Sequence, residues 1–455
     1  MLIPHKHFLS NRQINRIALL LCMLFLFTSV LSAQGVEREE IEIDSKMQLE
    51  IIDSVSSGLN NYYVFPDVAK KMEAKLREQY KTDAYKEIKT LQAFTDRLSS
   101  DMIDVSHDKH LGVRGFQDEI IAQICDTMPD ETEQQRRTNE SQRNNYGFKK
   151  IEQLNGNIGY IKLNGFHNTD HAAPTAIAAM NFLAYSDAII FDLRDNGGGS
   201  PSMIQLLMSY FFEEPVHLNS FYVRETDSIE QFWTQQFVSG PKMTDALVYI
   251  LTSNYTFSAA EEFSYNFKNL KRGTIVGETT GGGAHPVMQI CYENLNVVVR
   301  VSYGRAINPI SGTNWEGVGV KPDIDVSRDD AFDAAYKDAL SKLIEQSEDE
   351  DKKFTLNWIV EGIDAKMNPV TLDEATMKKF TGSYNERTIM FEDGKLYYQR
   401  EGRPKFELHP LKENLFYIEG LDYFRLEVEL DKNDNPIALV GHYDNGTTDR
   451  SERSK

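Results

Sequence analysis

The feature that most constrains the fold is a regular alternation of apolar runs and amphipathic stretches through the middle of the chain. Four short apolar runs have the length and composition of buried strands: 158–163, 188–193, 246–252 and 274–276. Three stretches between them have helical periodicity: 172–183, 203–212 and 258–270. Strands that alternate with helices usually pair in parallel, because the crossover helices cover the faces of the sheet. The alternation therefore predicts an α/β core.

The segments on either side of this core have different patterns. From about residue 47 to 105, apolar residues recur at helical spacing and predict three or four short helices. The run 288–301 is typical of a hairpin, and 329–346 predicts a closing helix. Beyond about residue 373, short aromatic and β-branched runs separated by turn residues predict a small antiparallel β module.

These patterns divide the 455 residues into six predicted segments. They are a signal peptide (1–33), a helical N-terminal domain (34–115), a polar linker (116–150), an α/β core (151–346), a second linker (347–372) and a C-terminal β module (373–455).

The first 33 residues have the organisation of a secretory signal peptide. Lys6, Arg12 and Arg16 precede an apolar run at 17–31, which ends in small residues at Ala33. A membrane anchor is the alternative, but spanning a bilayer takes about 20 apolar residues and this run is shorter. We therefore predict cleavage near Ala33, no stable membrane insertion afterwards, and a periplasmic or secreted protein.

Charge and cysteine content exclude several classes of function. The formal net charge is −20, so phosphate backbones and anionic membranes would be repelled over most approaches. Three cysteines, of which Cys22 lies in the signal segment, are too few for a disulfide scaffold or a Cys-rich metal module. In an oxidising compartment, Cys125 and Cys291 would be free to pair, although the sequence does not decide whether their geometry allows it.

A glycine-rich turn follows the second predicted strand. Residues 195–199 read Asp-Asn-Gly-Gly-Gly. Glycines at a strand end let backbone N–H groups face a bound oxygen with no Cβ in the way, which suits an oxyanion hole. For the glycines alone, a plain tight turn is the favoured interpretation.

A serine stands where the next helix should begin. Residues 256–261 read Thr-Phe-Ser-Ala-Ala-Glu, with Ser258 at the junction. A serine there commonly caps the helix. The same place suits a nucleophile, since the positive end of the helix favours negative charge developing on an attacked carbonyl. Position alone favours the helix cap.

Three motifs in order resemble those of the tail-specific (C-terminal processing) serine peptidase superfamily, which also contains the tricorn core protease and the interphotoreceptor retinoid-binding protein. They lie at 191–199, 256–261 and 276–283, and the resemblance covers roughly residues 47–345. It implies a crotonase-like (ClpP/crotonase) core. It also implies that Ser258 is the nucleophile and that the amides of Gly198 and Ala259 form the oxyanion hole.

The same resemblance bears on the base that activates the serine. Bacterial processing peptidases use a lysine a few residues into the third motif, where this chain has Gly283, so the Ser/Lys dyad is absent. The tricorn and retinoid-binding-protein branch uses a histidine and a glutamate, which map to His110 and Glu316 in segments 108–113 and 314–323. Tricorn-type sites carry a serine directly before the histidine; here that residue is Lys109, so a fourth member is not implied.

Two other histidines, His107 and His285, are also candidates for a functional role. His285 is a rival base or a substrate contact. A metal site from His107, Asp108 and His110 is disfavoured because the sequence shows no second ligand cluster beside it. We therefore predict no metal and no cofactor.

These inferences predict a secreted serine peptidase that hydrolyses peptide or protein substrates through an acyl-enzyme. About 40 residues separate Val113 from Ile158, too few for a PDZ domain. The alternative is a non-catalytic or weakly catalytic binding protein for apolar ligands or peptides on the same scaffold. Hydrolysis of another ester or amide would use the same groups. A homo-oligomer is neither required nor excluded.

Overall fold

The computed structural model describes residues 40–125 and 131–454. The predicted signal peptide at 1–33 lies outside these residues. Across the described ranges, every helix is too short or too polar to cross a bilayer.

The N-terminal region consists of three amphipathic helices: α1 (Ser45–Tyr62), α2 (Pro66–Lys81) and α3 (Leu91–Ser106). The side chain of Asp44 accepts a hydrogen bond from Met47 N and so caps α1, and Pro66 begins α2 without losing a helical hydrogen bond. The apolar faces of the three helices form one buried cluster, which continues onto strands described below. The helices predicted for this region are therefore present.

The centre of the molecule is a six-stranded sheet. Its strands are β2 (Phe148–Leu154), β3 (Ile158–Leu163), β4 (Ala188–Asp192), β7 (Leu247–Thr252), β8 (Thr274–Gly277) and β12 (Ile324–Asp325). The spatial order is β12-β8-β7-β4-β3-β2, and all neighbouring pairs are parallel except β2 with β3. Every residue of β4 is buried because hydrophobic layers cover both faces of the sheet. The mixed α/β class expected from the alternation is thus present.

Helices cover both faces of this sheet and close the core. They are α6 (Thr169–Phe182), α7 (Pro201–Met208), α8 (Ala259–Asn269) and α9 (Ala331–Gln346). Side chains of α6, α7 and α8 pack on one face, and those of α9 pack on the other. Since α8 follows β7 after a short turn, its first residues lie at the carboxyl edge of the sheet.

Two smaller sheets flank the core. One has the order β1-β10-β9, formed by β1 (Gly112–Gly115), β9 (Val287–Tyr292) and β10 (Val297–Ser302). The other has the order β11-β5-β6, formed by β5 (His217–Val223), β6 (Ser228–Trp233) and β11 (Gly304–Ile307). The β9–β10 hairpin matches the sequence expectation. Pairing of β1 with β10 fixes the chain that leaves α3 against the core.

Residues 116–150, expected as a polar linker, differ from that expectation in containing helices. They include α4 (Asp118–Cys125), α5 (Glu131–Arg143) and a 3₁₀ turn at Asn145–Gly147. Helix α5 has no buried residue, so it lacks the apolar periodicity that would have predicted it. A disulfide joins Cys125 at the end of α4 to Cys291 in β9, with an S–S distance of 2.08 Å.

The second predicted linker, 347–372, is also mainly helical. Helix α10 (Glu350–Met367) fills it, and α11 (Glu374–Phe380) follows. Beyond them lie two antiparallel sheets. The first contains β13 (Gly382–Tyr384), β14 (Arg387–Glu392), β15 (Lys395–Arg400) and β16 (Lys405–Glu407). The second contains β17 (His409–Pro410), β18 (Leu415–Tyr417), β19 (Phe424–Leu430), β20 (Pro436–Tyr443) and β21 (Thr448–Glu452).

Candidate active site

Ser258 lies between β7 and α8 in a backbone conformation that few L-residues adopt. Its φ and ψ angles are 56° and −121°, and its side chain is half-buried. Such a conformation is energetically unfavourable and persists only where surrounding contacts enforce it. Its backbone N–H donates to Glu261 Oε2 at 2.9 Å, one turn into the helix. The serine is thus held at the positive end of α8 by its own helix.

The carboxylate of Glu261 is the buried centre that joins two of the sequence motifs. Oε2 accepts from Ser258 N and from Gly283 N at 2.8 Å. Oε1 accepts from the Thr280 hydroxyl at 2.5 Å and from Gly282 N at 2.6 Å. Burial raises the pKa of Glu261, and these donors oppose that effect by stabilising the anion. This one side chain sets the position of the third motif relative to Ser258.

The glycine turn after β4 packs directly against the serine. Gly198 has φ of 109°, and a Cβ there would lie 2.8 Å from Ser258 Cβ and 3.0 Å from Ala259 N. Only glycine allows this close approach. The Gly198 amide donates to Asn196 Oδ1 at 2.9 Å, while Phe257 N donates to Asn196 O at 3.1 Å. The turn therefore lies beside the amide of Ala259, and its own Gly198 N–H is engaged by Asn196.

His110 lies in the loop between α3 and β1, and its side chain is buried. The helix ends at His107 in a left-handed conformation, after which Asp108 Oδ1 accepts from His110 N at 2.9 Å. Arg300 Nε donates to His110 O at 2.6 Å, and Lys109 Nζ donates to Gly281 O at 2.6 Å. Lys109, the residue that replaces the serine of tricorn-type sites, thus anchors this loop to the third motif.

The imidazole of His110 lies against one residue of the serine motif and one residue of the third motif. Its ring centre is 4.7 Å from that of Phe257, the residue before Ser258. A Cβ on Gly283 would lie 2.7 Å from His110 Cε1 and 2.2 Å from Phe257 Cζ. Any side chain at residue 283 would therefore clash with both rings.

Glu316 comes from a loop between β11 and β12 that is docked on the third motif. Ala284 N donates to Glu316 Oε2 at 2.5 Å, and the neighbouring Trp315 indole donates to Gly283 O at 2.8 Å. One side-chain nitrogen or oxygen atom from each of Asp108, His110 and Glu316 lies within 4.8 Å of the other two. His285 Nε2 is 3.9 Å from Glu316 Oε2.

The electrostatics of this cluster follow from its burial. Burial lowers the pKa of His110 to about 4, with Asp108 opposing the shift and Arg300 adding to it. Burial, followed by repulsion from Asp108, raises the pKa of Glu316 to about 8. Burial and the carboxylates of Asp108 and Glu316 also raise the pKa of the Tyr63 phenol. Burial therefore favours a neutral imidazole beside two carboxyl groups.

The structure thus brings Ser258, Ala259, Gly198, His110, Glu316 and His285 into one region. The structure adds three residues to which the sequence alone assigns no role: Asp108, Glu261 and Tyr63. Asp108 lies in the histidine motif and Glu261 in the serine motif, so their positions in these motifs are a signal in the sequence. Tyr63 follows the end of α1, and no motif marks it.

Comparisons with known proteins agree on one family for two stretches of the chain. Residues 157–326 match the model of peptidase family S41. Residues 41–146 match the model of the N-terminal domain of peptidase S41 in eukaryotic IRBP. The first stretch contains Ser258 and Glu316, and the second contains His110.

Individual relatives are distant. The tail-specific protease of Haemophilus influenzae is 27% identical over 136 residues, which are 29% of this chain and 18% of that protein. The match therefore spans less than a fifth of the relative's length. Mature CPAF is 12% identical with a TM-score of 0.46, over 72% of this chain and 99% of that chain. The photosystem II D1 C-terminal processing protease is 14% identical with a TM-score of 0.41, over 62% of this chain and 93% of that chain.

Proposed function

Because this chain belongs to peptidase family S41, we propose that it is a serine peptidase in which Ser258 is the nucleophile, His110 the general base and Glu316 the carboxylate that orients the imidazole. The observation that carries the proposal is the convergence of His110 and Glu316. They come from opposite ends of the matched region, yet their side chains lie within 4.8 Å of each other beside the serine motif. A histidine with a carboxylate close to it is what a serine hydroxyl needs for activation.

The proposed reaction is acyl transfer to Ser258 followed by hydrolysis. His110 accepts the hydroxyl proton while Ser258 Oγ attacks the scissile carbonyl carbon, and Glu316 stabilises the resulting imidazolium. Backbone amides of Ala259 and Gly198 stabilise the oxyanion. His110 then protonates the leaving amine, and water hydrolyses the acyl-enzyme by the same steps in reverse.

One detail of the oxyanion hole requires a change during the reaction. The Gly198 amide donates to Asn196 Oδ1 in this structure. It would serve the oxyanion by sharing or exchanging that hydrogen bond when substrate binds. Ala259 N lies beside the same glycine, 3.0 Å from the place that a Cβ on Gly198 would take, and this proximity supports the pairing of the two amides.

We further propose that the core has the crotonase-like fold. The segment boundaries predicted from the sequence are our proposal for the domains of the whole chain. We also propose that the protein is exported. Export rests on the N-terminal segment and on the Cys125–Cys291 disulfide, which is typical of oxidising compartments. Peptides or proteins are the proposed substrates. His285 would contact substrate from its place beside Glu316.

A serine-reactive fluorophosphonate probe tests the proposal on the full chain. We expect covalent labelling at Ser258, located by mass spectrometry, and its loss in Ser258→Ala and His110→Ala. His107→Ala is the matched control, because His107 lies three residues away but is exposed and should leave labelling intact. A folded protein that stays unlabelled at Ser258 would instead favour a non-catalytic binding protein for apolar ligands or peptides.

A further inference from the structure

Four buried or half-buried side chains around His110 each contain a polar atom without a hydrogen-bond partner among the described residues. The atoms are Asp108 Oδ2, His110 Nδ1, His285 Nδ1 and Glu316 Oε1. Asp108, His110 and His285 are 1%, 4% and 5% exposed. Burying a polar group without a partner costs roughly 1–3 kcal/mol, so four in one place need an explanation.

The remaining polar atoms of the two carboxylates are already fixed. Asp108 Oδ1 accepts from His110 N, and Glu316 Oε2 accepts from Ala284 N. Each carboxylate therefore has one oxygen held by backbone and one without a hydrogen bond, with the Tyr63 hydroxyl as a further polar neighbour of Asp108. The backbone hydrogen bond orients each carboxylate but leaves its second oxygen without a hydrogen bond. Metal ligands are commonly oriented in this way by hydrogen bonds to neighbouring groups.

The free atoms belong to residue types that bind transition metals. Two imidazoles and two carboxylates form the donor set that Zn²⁺ accepts in tetrahedral sites, with bonds of about 2.0–2.2 Å. Asp108, His110 and Glu316 each offer one side-chain nitrogen or oxygen atom within 4.8 Å of the other two, and they form the core of the site. His285 lies beside this core, with its Nε2 atom 3.9 Å from Glu316 Oε2. Its side chain would have to rotate to bring a ring nitrogen to the same ion.

We propose that Asp108, His110, Glu316 and His285 form a binding site for one divalent transition-metal ion such as Zn²⁺. The sequence alone disfavoured a metal site built on His107, Asp108 and His110 because no second ligand cluster was visible. Folding supplies that cluster by bringing His285 and Glu316 to Asp108 and His110. His107 is exposed and is not a member.

Metal binding would switch off the base, a consequence that rests on the proposed function. A neutral imidazole has one nitrogen lone pair. When the ion takes that lone pair at Nδ1, the proton resides on Nε2, and His110 is no longer able to accept the Ser258 proton. The bound ion would therefore act as a reversible inhibitor, removable by a chelator.

Direct binding of Zn²⁺ to the purified full chain tests the site without any activity readout. Equilibrium dialysis in zinc-buffered solution, with metal quantified by mass spectrometry, should give one ion per chain. Asp108→Asn and His285→Asn should each weaken binding by at least about tenfold, the effect expected when coordination is disturbed. Co²⁺ should show the visible absorption bands of tetrahedral coordination. Ser258→Ala and His107→Ala should bind as tightly as the parent protein.

Several results would overturn the proposal. One such result is the absence of stoichiometric zinc binding to the folded parent protein. Another is that Asp108→Asn and His285→Asn bind zinc as tightly as the parent protein does. Loss of binding in His107→Ala would indicate an adventitious surface site. If Asp108→Asn fails to fold by circular dichroism, Glu316→Gln and His285→Asn test the same site from other segments.

The two proposals fail in distinguishable ways. Absence of fluorophosphonate labelling in chelator-treated protein would refute the peptidase but leave the dialysis result standing. Zinc that binds without slowing labelling of Ser258 would refute inhibition while retaining the site. Zinc that binds and slows labelling, with reversal by chelator, supports both.

Discussion

The α-carbon of Gly283 lies directly against the imidazole of His110, so that a Cβ at residue 283 would be 2.7 Å from His110 Cε1. The same Cβ would be 2.2 Å from Cζ of Phe257, the residue before Ser258. The glycine thus makes room for the histidine. The position of the His110 imidazole therefore depends on the absence of a side chain at residue 283.

Gly283→Ala should lower kcat/KM for a peptide substrate by about a hundredfold, because displacing a catalytic group by about 1 Å costs this much. Gly362→Ala is the matched control. It lies in α10 with nothing within 4 Å of the added Cβ, and it should leave activity unchanged and stabilise the helix by about 0.5–1 kcal/mol. An active Gly283→Ala variant with normal kinetics would contradict the steric account.

Glu261→Gln should destabilise the fold and reduce activity. Two backbone amides of the third motif, the Thr280 hydroxyl and Ser258 N all donate to this carboxylate. A glutamine NH₂ group would face donors, at an expected cost of about 3 kcal/mol in the free energy of unfolding measured with urea. A variant as stable as the parent would show that the anion is not the anchor of the motif.

Glu262→Gln provides a contrast at the adjacent residue. Burial raises the pKa of Glu262 to about 7, so the folded state favours the protonated acid. Because the folded pKa exceeds the unfolded one, the parent protein should lose stability as pH rises from about 4.5 to about 7 and stay at that lower level above it. Glutamine does not titrate, so the variant should match the parent near pH 5 and exceed it at pH 8. Urea unfolding at both pH values measures the difference, and parallel behaviour of the two proteins would contradict it.

A plot of kcat/KM against pH should show no rise near pH 6.5, where an ordinary histidine loses its proton. The pKa of His110 is lowered to about 4 by burial, so the imidazole is neutral and able to accept a proton from mildly acidic pH upward. The pKa of Glu316 is raised to about 8 by burial and by Asp108, so activity should rise further as that carboxyl loses its proton. Glu316→Gln should remove the upper limb and leave the lower one. A single limb near pH 6.5 in both proteins would be the contrary result.

Cys125→Ser/Cys291→Ser should lower the free energy of unfolding by about 4 kcal/mol, because the disulfide closes a long loop with a sequence separation of 166 residues. Urea unfolding with and without reductant measures the effect, and the double variant should be insensitive to reductant. Peptide mapping under non-reducing conditions should show the 125–291 cross-link in protein recovered after export. Two alkylatable thiols at these positions would contradict the pairing.

The sequence determined the local elements and the identity of the groups that carry the proposed chemistry. The strand at 158–163 and the helix that begins beside Ser258 follow from apolar periodicity, because burial on a regular element imposes its own period on the chain. The polar helix α5 and strands β5 and β6 were not predicted. Helix α5 buries no side chain, so its periodic signal is missing.

Only the tertiary structure decided how these groups meet. Pairing of β1 with β10 and the docking of residues 314–319 on the third motif bring His110, Glu316, Asp108 and His285 together. The separation of these residues along the sequence does not predict the distances between their side chains, because contacts between remote segments depend on sheet order and loop packing. The position of His110 against Gly283 and the unpartnered atoms of the buried cluster are properties of that packing alone.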